Sequence, residues 1–157
     1  MRKLIRNLGA LAILAAAAPS HADVGLGVFV GEPLGLDVKI DLQRRSALDL
    51  VLGGSTYRDG RGPYGHLTYL VTPVRGNGSS VLVPLRLGIG VAVFDQGGKF
   101  GDDLNIAARV PLEVGFVFRS TPLELYLEVA VKLTLLDEHD NHPLADLDGG
   151  VGLRFYF

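Results

Sequence analysis

Asp137-Glu138-His139-Asp140-Asn141-His142 sets two histidines three residues apart among carboxylates, residue types that can ligate zinc. No further ligand is fixed elsewhere and the spacing is not that of a metal-binding helix, so a solvated loop is the expectation. Asp95, Asp102 and Asp103 could hold a divalent cation, but the ligand order of a calcium loop is missing. Ser55, His66 and the loop histidines could supply a hydroxyl nucleophile and its base for lipid hydrolysis or acyl transfer. Enzymes of that kind put Ser and His close together on one strand, and no such pair occurs. Arg58 and Arg61, flanked by Tyr57 and Tyr64, could grip phosphate bidentately, although a polar surface loop accounts for them as well. No catalytic residue, metal ligand or cofactor is therefore assigned.

The larger set of chemical groups is spread along the chain: Asp37, Lys39, Asp41, Asp49, Arg86, Arg109, Glu113, Glu124, Glu128, Lys132 and Arg154. Each falls opposite an aliphatic stripe in a segment that alternates by twos, the period of a β-strand. Leu36, Val38, Ile40 and Leu42 alternate with Asp37, Lys39 and Asp41. Leu123 to Leu135 alternates with Glu124, Tyr126, Glu128, Lys132 and Thr134. Similar stripes run through Val24–Val30, Leu48–Leu52, Leu67–Val71, Val83–Val93, Val110–Phe118 and Val151–Phe157, about eight in all.

Turn-forming residues separate the stripes. Short turns fall near Arg44, Gly76 and Ser120, and connections near Pro33, Tyr57, Gly98 and Asn141 alternate with them. All but the first of the second group are longer or comparable. Several segments approach the 9–11 residues that a tilted strand needs to cross a bilayer.

Hydrophobic residues make up 48% of the 157, and there is no cysteine, hence no disulfide framework. The N-terminus is a separate object. Arg2, Lys3 and Arg6 precede an apolar run from Leu8 to Ala18, and Ser20 and Ala22 are the small residues of a signal-peptidase site. Residues 1–22 are expected to be a cleaved secretory signal, and 23–157 one domain. Without those three basic residues, 15 Lys and Arg become 12 against 17 Asp and Glu, a formal net charge of −5. That argues against nucleic acid as a partner, which would call for a basic patch.

An ordinary soluble barrel also alternates, but its apolar side chains point inward. Here the apolar stripe is nearly pure Leu, Val, Ile and Phe, while the opposite face carries charges of both signs. Turned inside out, those charges line a narrow lumen and can pair, which makes their burial tolerable. Gly25, Gly27, Gly88, Gly90, Gly150 and Gly152 lie on that face and are expected to leave room for long Arg and Glu side chains. Phe116, Phe118, Phe155 and Phe157 read as half of an interfacial aromatic girdle. The fold class is thus all-β: an eight-stranded antiparallel up-and-down transmembrane β-barrel preceded by a signal peptide.

The closing Gly152-Leu153-Arg154-Phe155-Tyr156-Phe157 resembles the C-terminal signal by which bacterial outer-membrane proteins are recognised for insertion. Val151, Leu153, Phe155 and Phe157 carry that likeness. Gly31-Glu32-Pro33-Leu34-Gly35-Leu36, Ala47-Leu48-Asp49-Leu50 and Leu125-Tyr126-Leu127-Glu128-Val129-Ala130 resemble small barrels of the OmpA/OmpX type. The resemblance implies an outer-membrane location, barrel assembly machinery as a partner, and contact with outer-membrane lipid and lipopolysaccharide. A monomer is expected, acting structurally or through its outer loops. A lipid-modifying enzyme and a narrow channel are the alternatives.

Overall fold

Strict alternation produces eight strands: β1 (Val24–Glu32), β2 (Leu34–Gln43), β3 (Ser46–Gly54), β4 (Pro63–Asn77), β5 (Val81–Asp95), β6 (Leu104–Phe118), β7 (Leu123–Leu136) and β8 (Ala145–Tyr156). The structure, a computed structural model, describes residues 23–55, 62–95, 104–136 and 144–157. The expected signal segment, the His139/His142 loop, Asp102, Asp103, Tyr57, Arg58 and Arg61 lie outside them.

Each strand pairs antiparallel with its sequence neighbour, and β8 returns to β1, so the sheet closes into a barrel. The closing seam pairs Leu26 with Phe155 and Val28 with Leu153. Closure leaves no unpaired strand edge, which is the requirement for a sheet surrounded by hydrocarbon. The expected all-β, eight-stranded up-and-down barrel is what the chain forms.

The alternation sorts the side chains cleanly. The aliphatic stripes face out: Leu36 is 67% exposed, Ile89 66% and Val129 58%. The charged stripe faces in, and Arg109, Glu113, Glu124 and Arg154 are wholly buried. Hydrophobicity is therefore inverted relative to a soluble barrel.

Several strands run further than their clearest alternation. β4 begins at Pro63, which moves Tyr64 from an expected outer loop to the interior. β6 begins at Leu104, well before Val110; Ala107 and Ala108 blur the pattern there, and a register shift follows Ile106. β4 also continues past Pro73 to Asn77, leaving a tight turn before β5.

That extension contains a bulge. Val71 pairs with Leu87 but Val74 with Leu85, so β4 has one residue more than β5 between these pairs. An extra residue inverts the parity of the strand. Before the bulge Tyr64, His66, Thr68, Leu70 and Thr72 are buried; after it Val74 points outward and Arg75 sits opposite the buried Pro84. The bulge lies level with the start of β3, since Thr72 N donates to Arg45 O at 2.8 Å. The rim is thus low at the β2–β3 turn and high at the β4–β5 hairpin.

Candidate functional site in the barrel interior

The interior is a stack of ion pairs organised around Arg154 on β8. Its Nε donates to Asp37 Oδ2 at 2.6 Å, Nη2 to Asp49 Oδ1 at 2.8 Å and Nη1 to Glu113 Oε2 at 3.0 Å. Glu124, its direct neighbour on β7, lies 3.7 Å from Nη1. The side chain reaches three other strands because Gly27, the β1 residue between Arg154 and Asp37, presents no side chain. A Cβ at Gly27 would meet the backbone of Leu153 and Arg154.

Arg86 pairs with Glu113, its partner across β5–β6, and with Glu124. Tyr156 donates to Glu124 and accepts from Lys39, whose ammonium also meets Asp41 at 2.6 Å. One step along the axis, Arg109 donates to Glu128 at 2.7 Å and to Thr68 at 3.1 Å. Beyond that, Lys132 reaches Asp148 at 3.0 Å, and Tyr64 donates to the other oxygen of Asp148.

The register explains why these contacts run diagonally. Glu113 faces Glu128 across β6–β7, and Arg109 faces Lys132. Like charges directly opposite repel. Arg109 therefore reaches along β7 to Glu128, Lys132 turns to β8, and Glu113 is neutralised by Arg86 and Arg154. Among the described residues each buried charge of this network has at least one opposite charge against it, without which its burial would be strongly destabilising.

Of the interior residues expected from the sequence, Asp37, Lys39, Asp49, Arg86, Arg109, Glu113, Glu124, Glu128, Lys132 and Arg154 are buried and joined in this network. Asp41 belongs to it but stands half-exposed at one mouth. Val151, Leu153, Phe155 and Phe157 are exposed on the outer wall, with the two phenylalanine rings edge to face at 5.3 Å.

Aromatic residues complete the packing. Phe29 stacks on Tyr126 at 5.9 Å and Tyr64 on Phe94 at 5.6 Å. Of the six inner glycines that were expected to make room for Arg and Glu, three instead make room for aromatic rings. A Cβ would meet Tyr126 at Gly152, Tyr156 at Gly25 and Phe29 at Gly150. Gly115, which was not among those six, is the glycine that makes room for ionic side chains, because a Cβ there would meet Glu124 and Arg86.

Asp148, Tyr64, Tyr126 and Tyr156 were not named in the expected charge network, although Tyr126 was placed on the inner face of its strand. Three of them were legible, since Tyr126 alternates with Glu124 and Glu128, and Asp148 and Tyr156 share parity with Arg154.

The parts of a hydrolase are not assembled. Ser55 is tied to Gly62 by its backbone N–H, and His66 lies four residues further along β4, roughly 13 Å away at ~3.3 Å per residue. Both ring nitrogens of His66 are buried without a hydrogen-bond partner among the described residues. One carboxylate oxygen each from Asp49, Glu113 and Glu128 lie within 4.8 Å of one another. Arg154 bridges the first two and Arg109 holds the third, so guanidinium groups account for that convergence.

Compared with known proteins, the chain matches no family model, no curated protein and no solved structure.

Proposed function

We propose that this chain is a small bacterial outer-membrane β-barrel of the OmpA/OmpX type, exported through a cleaved signal and acting structurally or through its outer loops. The observation that carries this reading is the inversion of hydrophobicity on a closed sheet. A continuous wall of exposed Leu, Val, Ile and Phe surrounds an interior of paired charges. Leaving such a wall in water would expose an apolar area far beyond what monomeric soluble proteins tolerate, while in a bilayer it meets hydrocarbon.

The axial stack of ion pairs gives this barrel a filled lumen. Work at the cell surface then falls to the connections beyond β3, β5 and β7, with the short turns after β2, β4 and β6 facing the periplasm. Partners consistent with this are outer-membrane lipid, lipopolysaccharide and the barrel assembly machinery.

Epitope accessibility in a Gram-negative host tests location and orientation together. A tag inserted after Asn141 should be labelled on intact cells, and one between Arg44 and Arg45 only after permeabilisation. Reversed labelling, or recovery of the chain in the soluble periplasmic fraction, would overturn the reading.

A further inference from the structure

We propose that the turn end of the barrel binds one anionic phospholipid, its phosphate in an arginine-lined mouth and an acyl chain in a groove that climbs from the mouth onto the outer wall. This rests on the outer-membrane reading and adds a specific site to it.

The mouth is a cavity of about 760 Å³ at the low side of the rim, lined among others by Arg44, Arg45, Arg75 and Arg86. Arg86 is already engaged by Glu113 and Glu124. Arg44, Arg45 and Arg75 form no ion pair among the described residues. The acidic residues of the mouth are Asp23 and Asp41, and Asp41 is taken by Lys39. Arg75 is there because of the β4 bulge: on the uninterrupted parity of that strand it would project from the outer wall. The irregularity thus adds a cation to the mouth, where it has no internal partner to satisfy.

A second cavity, of about 340 Å³, shares Gln43, Arg45, Ser46 and Thr72 with the mouth and continues along Tyr69, Val71 and Pro73. Tyr69 and Val71 are 43% and 41% exposed on the outer wall. The step between the β2–β3 turn and the taller β4 opens this path over the rim. A soluble anion would use only the arginines; the continuation onto an apolar wall suits a ligand with a charged head and a hydrocarbon tail. Guanidinium groups favour phosphate through paired, charge-assisted hydrogen bonds. A zwitterionic headgroup would bring its own ammonium towards the same arginines, so the site selects a net anionic lipid.

Native mass spectrometry of the mature chain refolded in detergent tests this with phosphatidylglycerol, phosphatidylcholine and the chain-free headgroup glycerophosphoglycerol. Phosphatidylglycerol adducts should exceed phosphatidylcholine adducts about tenfold, the order expected from one charge-assisted hydrogen bond. The preference should vanish in Arg45→Ala/Arg75→Ala and survive in Arg119→Ala, a neighbouring exposed arginine whose Nε donates to Gly78 O. Glycerophosphoglycerol should not displace the lipid.

Equal retention of the two lipids by the unmutated chain overturns the site without reference to any variant. So does displacement by the free headgroup, which would make the mouth a soluble-anion site. Equal loss in Arg119→Ala would reduce the effect to general surface charge. Folding of the chain in plain buffer would instead overturn the membrane reading itself, and the lipid site with it.

Discussion

The guanidinium carbon of Arg154 lies 3.6 Å from the centre of the Tyr126 ring, and the Tyr126 hydroxyl donates to Asp37, the same carboxylate that accepts from Arg154 Nε. The two side chains close a triangle on one acid. Cation–π contact and hydrogen bonding thereby hold the guanidinium in a plane from which it reaches β2, β3 and β6. The barrel is organised around this contact as a soluble domain is around its apolar core.

Arg154→Met should be among the most damaging single substitutions. It leaves Asp37 and Asp49 without their cation in a space shut off from water. Removing one member of a buried pair costs roughly 3–5 kcal/mol. Urea unfolding from lipid vesicles should show a loss of that order, partly recovered when Asp37→Asn and Asp49→Asn are added. A loss below about 1 kcal/mol, the range of exposed ion pairs, would mean the network is solvated.

Gly152→Ala should be destabilising although it adds one methyl group. The new carbon would occupy the position of the Tyr126 ring, and overpacking of this kind costs about 1–3 kcal/mol. Combining it with Tyr126→Ala should cost less than the two single changes together. Additive losses in the same unfolding assay would show that the ring does not depend on the missing side chain.

No large, steady conductance is expected in planar bilayers. Arg109 and Arg154 are wholly buried across successive levels of the lumen, and Arg109 is locked to Glu128 at 2.7 Å. Reproducible single-channel currents whose ion selectivity reversed on Glu128→Lys would show instead that water threads the barrel.

Outer-membrane lipids incubated with the refolded protein should be recovered unchanged by mass spectrometry. The hydroxyl and imidazole that such chemistry would need sit four residues apart along the β3–β4 ladder, with His66 sealed in the interior. An altered acyl pattern that disappeared on His66→Ala would contradict this.

Much of the architecture was legible because the side-chain period of a strand is two and one face had to be nearly uniform. Asp37, Lys39 and Asp41 could be placed inside from Leu36, Val38 and Ile40 alone. Parity said which residues face in, but it carried no information on pairing. Arg154 finds Asp37 straight across Gly27, and Lys132 finds Asp148 two residues beyond its direct neighbour Asp146; both depend on the register between strands.

The Arg75 position was illegible for a related reason. Pro73 marks the bulge after Val71, but a proline there reads equally well as a turn, and only the offset against Leu85 and Leu87 shows that the strand continues with its parity inverted. Glycine misled more gently. Its place on the inner face was clear, but whether it makes room for an arginine or a tyrosine depends on which strand lies beside it.

The inside-out assignment is tested most directly by arginine placed at two depths on the outer wall. Val129 lies midway along β7, 58% exposed between Leu112 and Gly149, and Leu123 lies at the start of the same strand beside Phe155. In hydrocarbon an arginine at mid-depth costs roughly 2–4 kcal/mol and near the interface about 0–1 kcal/mol. Folding free energy measured in lipid vesicles should therefore fall by about that amount for Val129→Arg and hardly at all for Leu123→Arg, with no folding in buffer without lipid or detergent. Equal costs at the two depths, or heat-modifiable folding in plain buffer, would contradict the assignment.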